Sequence, residues 1–237
     1  MPRHRTPRGR RVVTVLAFAG GLFASAGVLA PARAASTPAA AASSTAPQAA
    51  ADKVVYLSFD DGPSPRYTPL ILDALDRYGV RATFFALGEN VSRHPSVTRR
   101  AHRRGHSVQN HTWSHPDLRR VSWSAFKSQI VRTDRAVHAQ TGYTPRCLRP
   151  PYGAVDDRVR QRARSLGKTI RLWTVDPRDW SRPGSAVIAN RVLNDVRPGS
   201  IILLHDGGGD RGQTVAALPT ILRTLKARGY TFHRMWC

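Results

Sequence analysis

Acidic residues are scarce in this chain. Its 15 Asp and Glu residues stand against 37 Lys and Arg residues, which gives a formal net charge of +22 over 237 residues. Such a charge attracts nucleic acids, anionic cell walls and anionic membranes. The basic residues are spread along the chain rather than gathered in one run with interleaved aromatic residues. We therefore expect no nucleic acid as a partner, and at most a non-specific affinity for an anionic cell wall.

Cysteine is scarcer still. Cys147 and Cys237 are the only two cysteines, and neither belongs to a CxxC spacing, which argues against a cysteine-bound metal. In an oxidising compartment two cysteines favour a disulfide, which here would tie the last strand to the rest of the domain. Two separate thiols are the alternative, because a sequence does not give the distance between them.

Long apolar runs are also few, and the most prominent one lies near the start of the chain. An arginine-rich segment precedes an apolar run at 12–30, and small residues surround Ala34. This layout is typical of a secretory signal peptide, so we predict a signal at 1–34 that is cleaved after Ala34 and leaves no stable membrane span. The protein would then be secreted or associated with the cell wall. An uncleaved anchor is the alternative, and Arg10-Arg11 leaves the choice between general and twin-arginine export open.

The rest of the chain divides into a linker and one domain. Residues 35–52 are rich in Ala, Ser, Thr and Pro and have no apolar periodicity, which predicts a flexible linker. Residues 53–237 are numerous enough for one domain with a sizeable core. We expect this domain to be a monomer.

Apolar, β-branched runs alternate with helical patterns through the domain. The first run starts at Val54 and ends on two adjacent acids, Asp60 and Asp61. Further strands are predicted at 82–87, 107–109, 146–148, 169–175, 200–204 and 230–233, with helices at 67–78, 96–104 and 123–140 and helical patterns between the later strands. Strands separated by helices pair in parallel through right-handed crossovers, which gives an open doubly wound sheet or a barrel.

Polar residues follow five of the predicted strands. They are Asp60-Asp61, His111, Arg149, Asp176 and His205. Because ligands bind at the carboxyl ends of parallel strands in both kinds of fold, we expect these side chains to converge on one face. Taken alone, Asp60-Asp61-Gly62-Pro63 has a simpler interpretation as a turn, since Asp, Gly and Pro favour turns.

Two histidines are spaced four residues apart in His111-Thr112-Trp113-Ser114-His115. On a helical turn both imidazoles would lie on one side, within reach of a single ion. Most such pairs bind nothing, because His is an ordinary surface residue. Opposite an acid at a strand end, however, two histidines and one carboxylate make the ligand set of a catalytic zinc site with room for water and substrate.

Three other motifs follow later strands. Arg149-Pro150-Pro151-Tyr152-Gly153 is a rigid turn that could aim the Tyr152 amide at an oxyanion, although this motif alone is more simply a stiff surface loop. His205 ends an apolar strand, either as a hydrogen-bonded core residue or, paired with an acid such as Asp179, as a tuned proton donor. Gly207-Gly208-Gly209 lacks the Lys and Ser/Thr of a nucleotide loop and is predicted to be a flexible surface loop.

Together these residues resemble the polysaccharide deacetylases with a NodB-like homology domain, carbohydrate esterase family 4. The resemblance covers the chain from about Val54 to Tyr230 and includes all five family motifs in order. These are Ser58-Phe59-Asp60-Asp61-Gly62, His111-Thr112-Trp113-Ser114-His115, Arg149-Pro150-Pro151-Tyr152-Gly153, Asp176-Pro177-Arg178-Asp179-Trp180 and Leu203-Leu204-His205. The one departure is Ser58, where the family usually has Thr, a conservative change outside the direct chemistry.

The resemblance implies a distorted seven-stranded (β/α) barrel, similar to a TIM barrel, that holds a divalent metal. It makes Asp60 the catalytic base and assigns Asp61, His111 and His115 as the metal ligands. Zinc is the expected metal, with cobalt or nickel as alternatives, because His and carboxylate ligands suit all three.

The resemblance also assigns the remaining positions. Arg149 would orient Asp60, and Asp179 would tune His205, which protonates the leaving amine. The Tyr152 amide would help to hold the oxyanion, and Trp180 and Leu203 would line the pocket for the acetyl methyl group.

The function implied is that of a secreted, metal-dependent hydrolase that removes acetyl groups from N-acetylglucosamine-type residues of peptidoglycan or a chitin-like glycan and releases acetate. An O-acetyl esterase acting on acetylated xylan is the nearest alternative, since it would use the same metal and base. A non-catalytic cell-wall-binding module is an alternative of another class.

Overall fold

Seven strands alternate with seven helices in residues 53–237, the part of the chain that this computed structural model describes. The strands are β1 (Val54–Asp60), β2 (Thr83–Ala86), β3 (Ser107–Asn110), β4 (Cys147–Leu148), β5 (Thr169–Ile170), β6 (Ile201–His205) and β7 (Thr231–His233). The helices are α1 (Tyr67–Arg77), α2 (Gly88–Arg93), α3 (Pro95–Arg103), α4 (Trp123–Thr141), α5 (Asp157–Ser165), α6 (Ser185–Asp195) and α7 (Gly212–Ala227). The predicted signal peptide and linker lie outside the described residues. No helix within 53–237 is both long enough and apolar enough to cross a bilayer.

Local sequence explains where several helices begin and end. The Ser122 side chain accepts a hydrogen bond from the Ala125 amide at the start of α4, and Asp156 does the same for Val159 at the start of α5. Gly142 ends α4 in the left-handed conformation (φ 77°), which glycine adopts without a steric penalty.

The strands form one parallel sheet in the order β5-β4-β3-β2-β1-β6. Tyr56 of β1 is paired with Ile201 of β6 on one side and with His233 of β7 on the other. β7 therefore pairs with the beginning of β1 on the same side on which β2 pairs with the end of β1. A parallel α/β fold is therefore confirmed. The described strands make an open, curled sheet, and a complete seven-stranded barrel is not confirmed.

The fifth strand is shorter than the predicted 169–175, because the carbonyl groups that follow Ile170 bond to a side chain instead of a strand. After Ile170 the carbonyl groups of Arg171 and Leu172 accept hydrogen bonds from the Arg149 side chain, at 3.0 and 3.1 Å. They are therefore not available to a neighbouring strand. The chain returns to the sheet only at Val175, through a single bridge to Ile202 of β6.

The apolar core has one part between the sheet and its helices and another inside the curl of the sheet. The larger part includes Leu57 and Phe59 of β1 packed with side chains of α1, α6 and α7. Inside the curl, Phe85, Cys147 and Met235 form a separate buried cluster. A disulfide between Cys147 and Cys237 attaches the end of the chain to β4 beside this cluster.

Candidate active site

A pocket of about 460 Å³ lies at the carboxyl ends of the strands. Eight of the residues singled out from the sequence line it: Asp60, Asp61, His111, His115, Tyr152, Trp180, Leu203 and His205. Trp173, which was not predicted, and Asp176, to which no role was assigned, line it as well. Arg149 and Asp179 lie directly behind lining residues rather than in the wall of the pocket.

Asp61, His111 and His115 bring three potential ligand atoms together. Asp61 Oδ1 lies 3.4 Å from His111 Nε2 and 3.3 Å from His115 Nε2. Two ligand atoms that are each about 2.1 Å from a tetrahedral zinc ion lie about 3.4 Å apart, so this spacing suits such an ion. Asp61 Oδ1 is buried and has no hydrogen-bond partner among the described residues. An orphaned carboxylate oxygen between two imidazoles fits a metal site of the predicted kind.

The two histidines do not lie on a helical turn, and that expectation was wrong. Thr112 and His115 have positive φ angles of 74° and 63°, so the segment folds back on itself. The Asn110 side chain accepts from the Thr112 amide, and the Gln129 side chain accepts from the amide of Trp113. Although the path differs, the two imidazole rings still meet, with their centroids 5.0 Å apart.

His111 is oriented by the backbone. Its Nδ1 lies 2.6 Å from the Arg149 carbonyl oxygen. A carbonyl only accepts, so this bond assigns the proton to Nδ1 and leaves the Nε2 lone pair directed at Asp61. A metal-binding histidine commonly has such a backbone partner, because it fixes the ring and the tautomer.

Arg149 and Asp60 form a buried ion pair beside this cluster. The guanidinium Nη1 donates to Asp60 Oδ1 at 2.7 Å and to the Ser58 hydroxyl at 2.9 Å. Arg149 is completely buried, and its guanidinium carbon lies 4.0 Å from the centre of the Phe85 ring. Burial lowers the pKa of Arg149 and the charge of Asp60 opposes this. The pair holds one Asp60 oxygen, while the other lies 3.7 Å from His111 Nε2.

The surroundings of Asp61 lower the pKa of its carboxyl group. Burial acts to raise its pKa, but the nearby imidazoles of His111, His205 and His115 outweigh burial and hold the pKa of this carboxyl well below its ordinary value. An acid that stays ionised beside imidazoles is a suitable ligand for a cation.

His205 and Asp179 form a second pair at the end of β6. Asp179 accepts from the His205 backbone amide at 2.9 Å and lies 2.7 Å from His205 Nδ1, and the Thr214 hydroxyl also donates to it. Burial acts to lower the pKa of His205, but the hydrogen bond to Asp179 and its charge, with the charges of Asp60 and Asp61, raise the pKa to about 8. The raised pKa favours the imidazolium form of His205, which can serve as a proton donor.

The rim of the pocket is aromatic. Tyr152 is 71% exposed and its ring packs edge-on against His115 with centroids 4.6 Å apart. Trp180 is 53% exposed, whereas Leu203 is buried in the floor. Tyr152 has a φ of 60°, and the following Gly153 leaves no room for a Cβ because the Trp173 ring would lie 2.8 Å away. Trp173 therefore packs directly on the turn after β4.

The segment Gly207-Gly208-Gly209, predicted to be a flexible surface loop, is exposed only at Gly208 and Gly209. Gly207 is buried, and a Cβ built on it would lie 2.1 Å from the Asp61 carbonyl oxygen. A Cβ on Gly208 would lie 2.6 Å from Asp61 Oδ2. These two positions need glycine because the backbone passes directly against Asp61, and glycine repeats give no sign of that approach in the sequence.

Two further polar contacts were not predicted. The Ser58 hydroxyl donates to the Ile202 carbonyl at 2.7 Å while it accepts from Arg149, so this position supports the ion pair. Asp206 is buried next to the site, where burial raises its pKa to about 7. Nothing in the sequence pointed to a role for Asp206 except its position directly after His205.

Comparisons with known proteins identify the family of this chain. The family model for polysaccharide deacetylase matches residues 48–170. The peptidoglycan-N-acetylglucosamine deacetylase PgdA of Listeria monocytogenes is 42% identical over 186 residues, which are 78% of this chain and 39% of that protein. The chitooligosaccharide deacetylase of Sinorhizobium fredii is 43% identical over 187 residues, 74% of this chain and 87% of its own length. The chain belongs to the polysaccharide deacetylase family, as its motifs predicted.

A solved structure shows the same fold. The crystal structure of the Bc1960 peptidoglycan N-acetylglucosamine deacetylase superposes with a TM-score of 0.76 at 38% identity, and the match covers 78% of this chain and 87% of that one. This chain spans only about two-fifths of the length of the Listeria relative, whose match covers 39% of it.

Proposed function

We propose that this protein is a metal-dependent N-deacetylase that removes acetyl groups from N-acetylglucosamine residues of peptidoglycan or a chitin-like glycan. The observation that carries the proposal is that three groups lie at one pocket: the Asp61-His111-His115 cluster, the Asp60-Arg149 ion pair and the Asp179-His205 pair. The related deacetylases from Listeria and Sinorhizobium support this substrate class.

Asp61, His111 and His115 would hold the metal through one oxygen and two nitrogen atoms. Zinc suits this donor set, and cobalt or nickel would suit it as well. When bound, the ion would polarise the acetamide carbonyl and lower the pKa of water.

Asp60 is the proposed general base. It takes a proton from the water that attacks the acetamide carbon, and the Arg149 guanidinium holds its carboxylate in place. We assign the Tyr152 amide to stabilise the oxyanion that forms at the carbonyl oxygen. Trp180 and Leu203 would surround the acetyl methyl group.

His205 is the proposed general acid. An amine leaves readily only when it is protonated, so the imidazolium of His205 gives its proton to the sugar nitrogen as the C–N bond breaks. Asp179 keeps that imidazolium charged. The products are a free amino sugar and acetate, with one water consumed.

We further propose that residues 1–34 direct export, that 35–52 are a linker and that 53–237 are the catalytic domain. These boundaries rest on the sequence pattern of an arginine-rich start, an apolar segment and an Ala/Ser/Thr/Pro stretch. An exported enzyme would reach cell-wall glycans. Amino-terminal sequencing of the protein from culture supernatant tests the cleavage after Ala34.

Acetate release tests the function directly. We expect release from peptidoglycan and chitooligosaccharides but not from acetylated xylan, its loss on treatment with a chelator, and its recovery with zinc, cobalt or nickel. His115→Ala should lose the metal and the activity, whereas His138→Ala, an exposed histidine of α4, should keep both. Acetate release only from xylan would favour the esterase, and glycan binding with no release from any polymer would favour the binding module.

A further inference from the structure

Two buried polar side chains next to the pocket have no part in the proposed chemistry. Thr68 is the second residue of α1, and Asp206 follows β6; each is 1% exposed. The Thr68 hydroxyl donates to Asp206 Oδ2 at 2.5 Å and accepts from the Ser64 backbone amide at 2.8 Å. One hydroxyl therefore connects the loop after β1 with the loop after β6.

The Asp206 carboxylate is in contact with the loop after β1 at another point. A Cβ built on Gly62 would lie 2.1 Å from Asp206 Oδ2, so the carboxylate packs directly against the Gly62 backbone. Asp206 Oδ1 has no hydrogen-bond partner, which leaves Thr68 as the only donor to this side chain among residues 53–237. The backbone amides of Asp206 and Gly207 also donate to the Asp60 carbonyl oxygen, at 3.0 and 3.3 Å.

The backbone of Asp61 is strained, so its conformation depends on the contacts that hold this loop. Its φ of 73° is a left-handed conformation that costs a non-glycine residue free energy unless the surroundings hold it. Asn90 donates to its carbonyl oxygen, and Gly207 packs against its backbone. Its carboxylate Oδ1 has no hydrogen bond of its own. The direction of the carboxylate is therefore set through the backbone, which the Thr68–Asp206 contact holds in place.

We propose that Thr68 and Asp206 are positioning residues for the metal site. Their hydrogen bond holds the loop that carries Asp61 against the loop that follows His205. It thereby sets the affinity of the site for the metal and the distance between Asp61 and His205. The proposal rests on the proposed function, because it concerns the same metal site. Neither side chain lines the pocket, so neither is a catalytic residue.

Three threonine variants of the full-length protein test this. Thr68→Val removes the hydroxyl and keeps the shape, and Thr68→Ser keeps the hydroxyl. Thr83→Val is the matched control, because Thr83, at the beginning of β2, is also buried and its hydroxyl also accepts from a backbone amide, that of Met235. The measurements are the zinc dissociation constant, by competition with a chromophoric chelator, and the melting temperature of the metal-free protein.

We expect Thr68→Val to weaken zinc binding by about 10-fold, the lower end of the effect seen when groups that orient metal ligands are removed, because Thr68 acts on Asp61 only through the loop. Its kcat should fall while KM for a chitooligosaccharide stays near the wild-type value. Thr68→Ser should restore both quantities. Thr83→Val should lower the melting temperature without changing zinc affinity, because loss of a buried hydrogen bond alone does not move a ligand.

The outcomes separate the two proposals. Zinc binding by Thr68→Val at wild-type affinity would overturn the positioning role and leave the proposed function intact. Absence of zinc binding by the wild-type protein would overturn both. Thr68→Ala removes the same hydroxyl from a smaller side chain and gives the same comparison if the valine variant does not fold. Equal weakening by Thr68→Val and Thr68→Ser would also contradict the role assigned to the hydroxyl.

Discussion

The two ends of the curled sheet are built from different kinds of interaction. The segments that follow the strands contain every non-glycine residue of positive φ in the described chain: Asp61, Thr112, His115, Tyr152, Arg178 and Arg182. Each such residue costs about 1 kcal/mol or more. The same end has a buried carboxylate oxygen without a partner at Asp61 and another at Asp206. The end that carries the candidate chemistry is thus the strained end.

The interior near the beginnings of β4 and β6 has the opposite character. Cys147 and Met235 are buried there with Ile201 packed against them, and Phe85 of β2, which is paired with Asp60, completes the cluster. The disulfide closes this region by attaching the carboxyl terminus. Apolar burial and a covalent cross-link stabilise this end. The apolar end therefore contributes stability that offsets the cost of the strained loops, while local hydrogen bonds set their path.

Arg149 is in contact with both ends. Its guanidinium packs on the Phe85 ring from the apolar cluster and donates to Asp60 in the site. It also donates to the Arg171 and Leu172 carbonyls. Substitutions at Arg149, at Asp60, at the disulfide and at Asp179 therefore test whether the two ends can be altered separately.

Arg149→Met should have the broadest effect, because it lowers both stability and activity. It removes one member of a buried ion pair and leaves Asp60 unpaired, which costs about 3–5 kcal/mol in the free energy of unfolding. We also expect kcat to fall on the order of 100-fold, since Asp60 loses the charge that orients it. Urea unfolding and acetate release measure the two effects. Arg171→Met is the control, because the Arg171 side chain is exposed. A stable and fully active Arg149→Met would show that Arg149 does not connect the two ends.

Asp60→Asn should affect only the chemistry at the strained end. The amide keeps the shape and can still accept from Arg149, but it cannot take a proton. Loss of a general base lowers kcat by roughly 1,000-fold, while bound metal, measured by elemental analysis, should be unchanged. Full turnover in this variant would show that Asp60 is not the base, and loss of the metal would place Asp60 among its ligands.

The apolar framework was predictable from the sequence because its signals are local. β1 and β6 are continuous apolar runs, and helices 67–78 and 123–140 were predicted within a residue of their observed ends. β5 was predicted too long because its carbonyl groups bond to Arg149, a residue more than twenty positions earlier. Contacts of that range leave no trace in a local pattern.

The site was predictable as a set of residues but not as a geometry. Spacing brought Asp60, Asp61 and the two histidines together, yet it could not distinguish the two acids, whose roles came from the family resemblance. The structure separates their surroundings: Arg149 contacts Asp60, and both imidazoles approach Asp61. The helical turn expected for the histidines was wrong because Asn110 and Gln129 side chains hold a different path.

Removal of the disulfide should affect mainly the apolar end. Cys147→Ala with Cys237→Ala releases a link across 90 residues, and we expect the free energy of unfolding to fall by about 2–4 kcal/mol. The kcat of the folded protein should stay near the wild-type value, because neither cysteine lines the pocket. Reduction of the wild-type protein should give the same result. A loss of kcat as large as that of Arg149→Met would mean that the apolar end also positions the site.

Asp179→Asn should have the smallest effect and should appear as a change in pH dependence. The pKa of His205 is raised from 6.5 to about 8, so the imidazolium that donates the proton is lost as the pH rises through about 8, and kcat should fall there. Because the folded-state pKa is raised, the stability contributed by this proton is complete below pH 6.5 and is also lost through pH 8.

Asn keeps the shape of Asp179 but removes its charge, so only the charges of Asp60 and Asp61 would offset burial and the alkaline limb of the kcat profile should move down by roughly one pH unit or more. Asp195→Asn makes the same change of charge at an exposed position near the end of α6 and should leave the profile unchanged. If both variants shift the limb equally, the net charge of the protein and not the Asp179–His205 contact sets it. If neither does, His205 is not the proton donor, and the strained end holds its acid elsewhere.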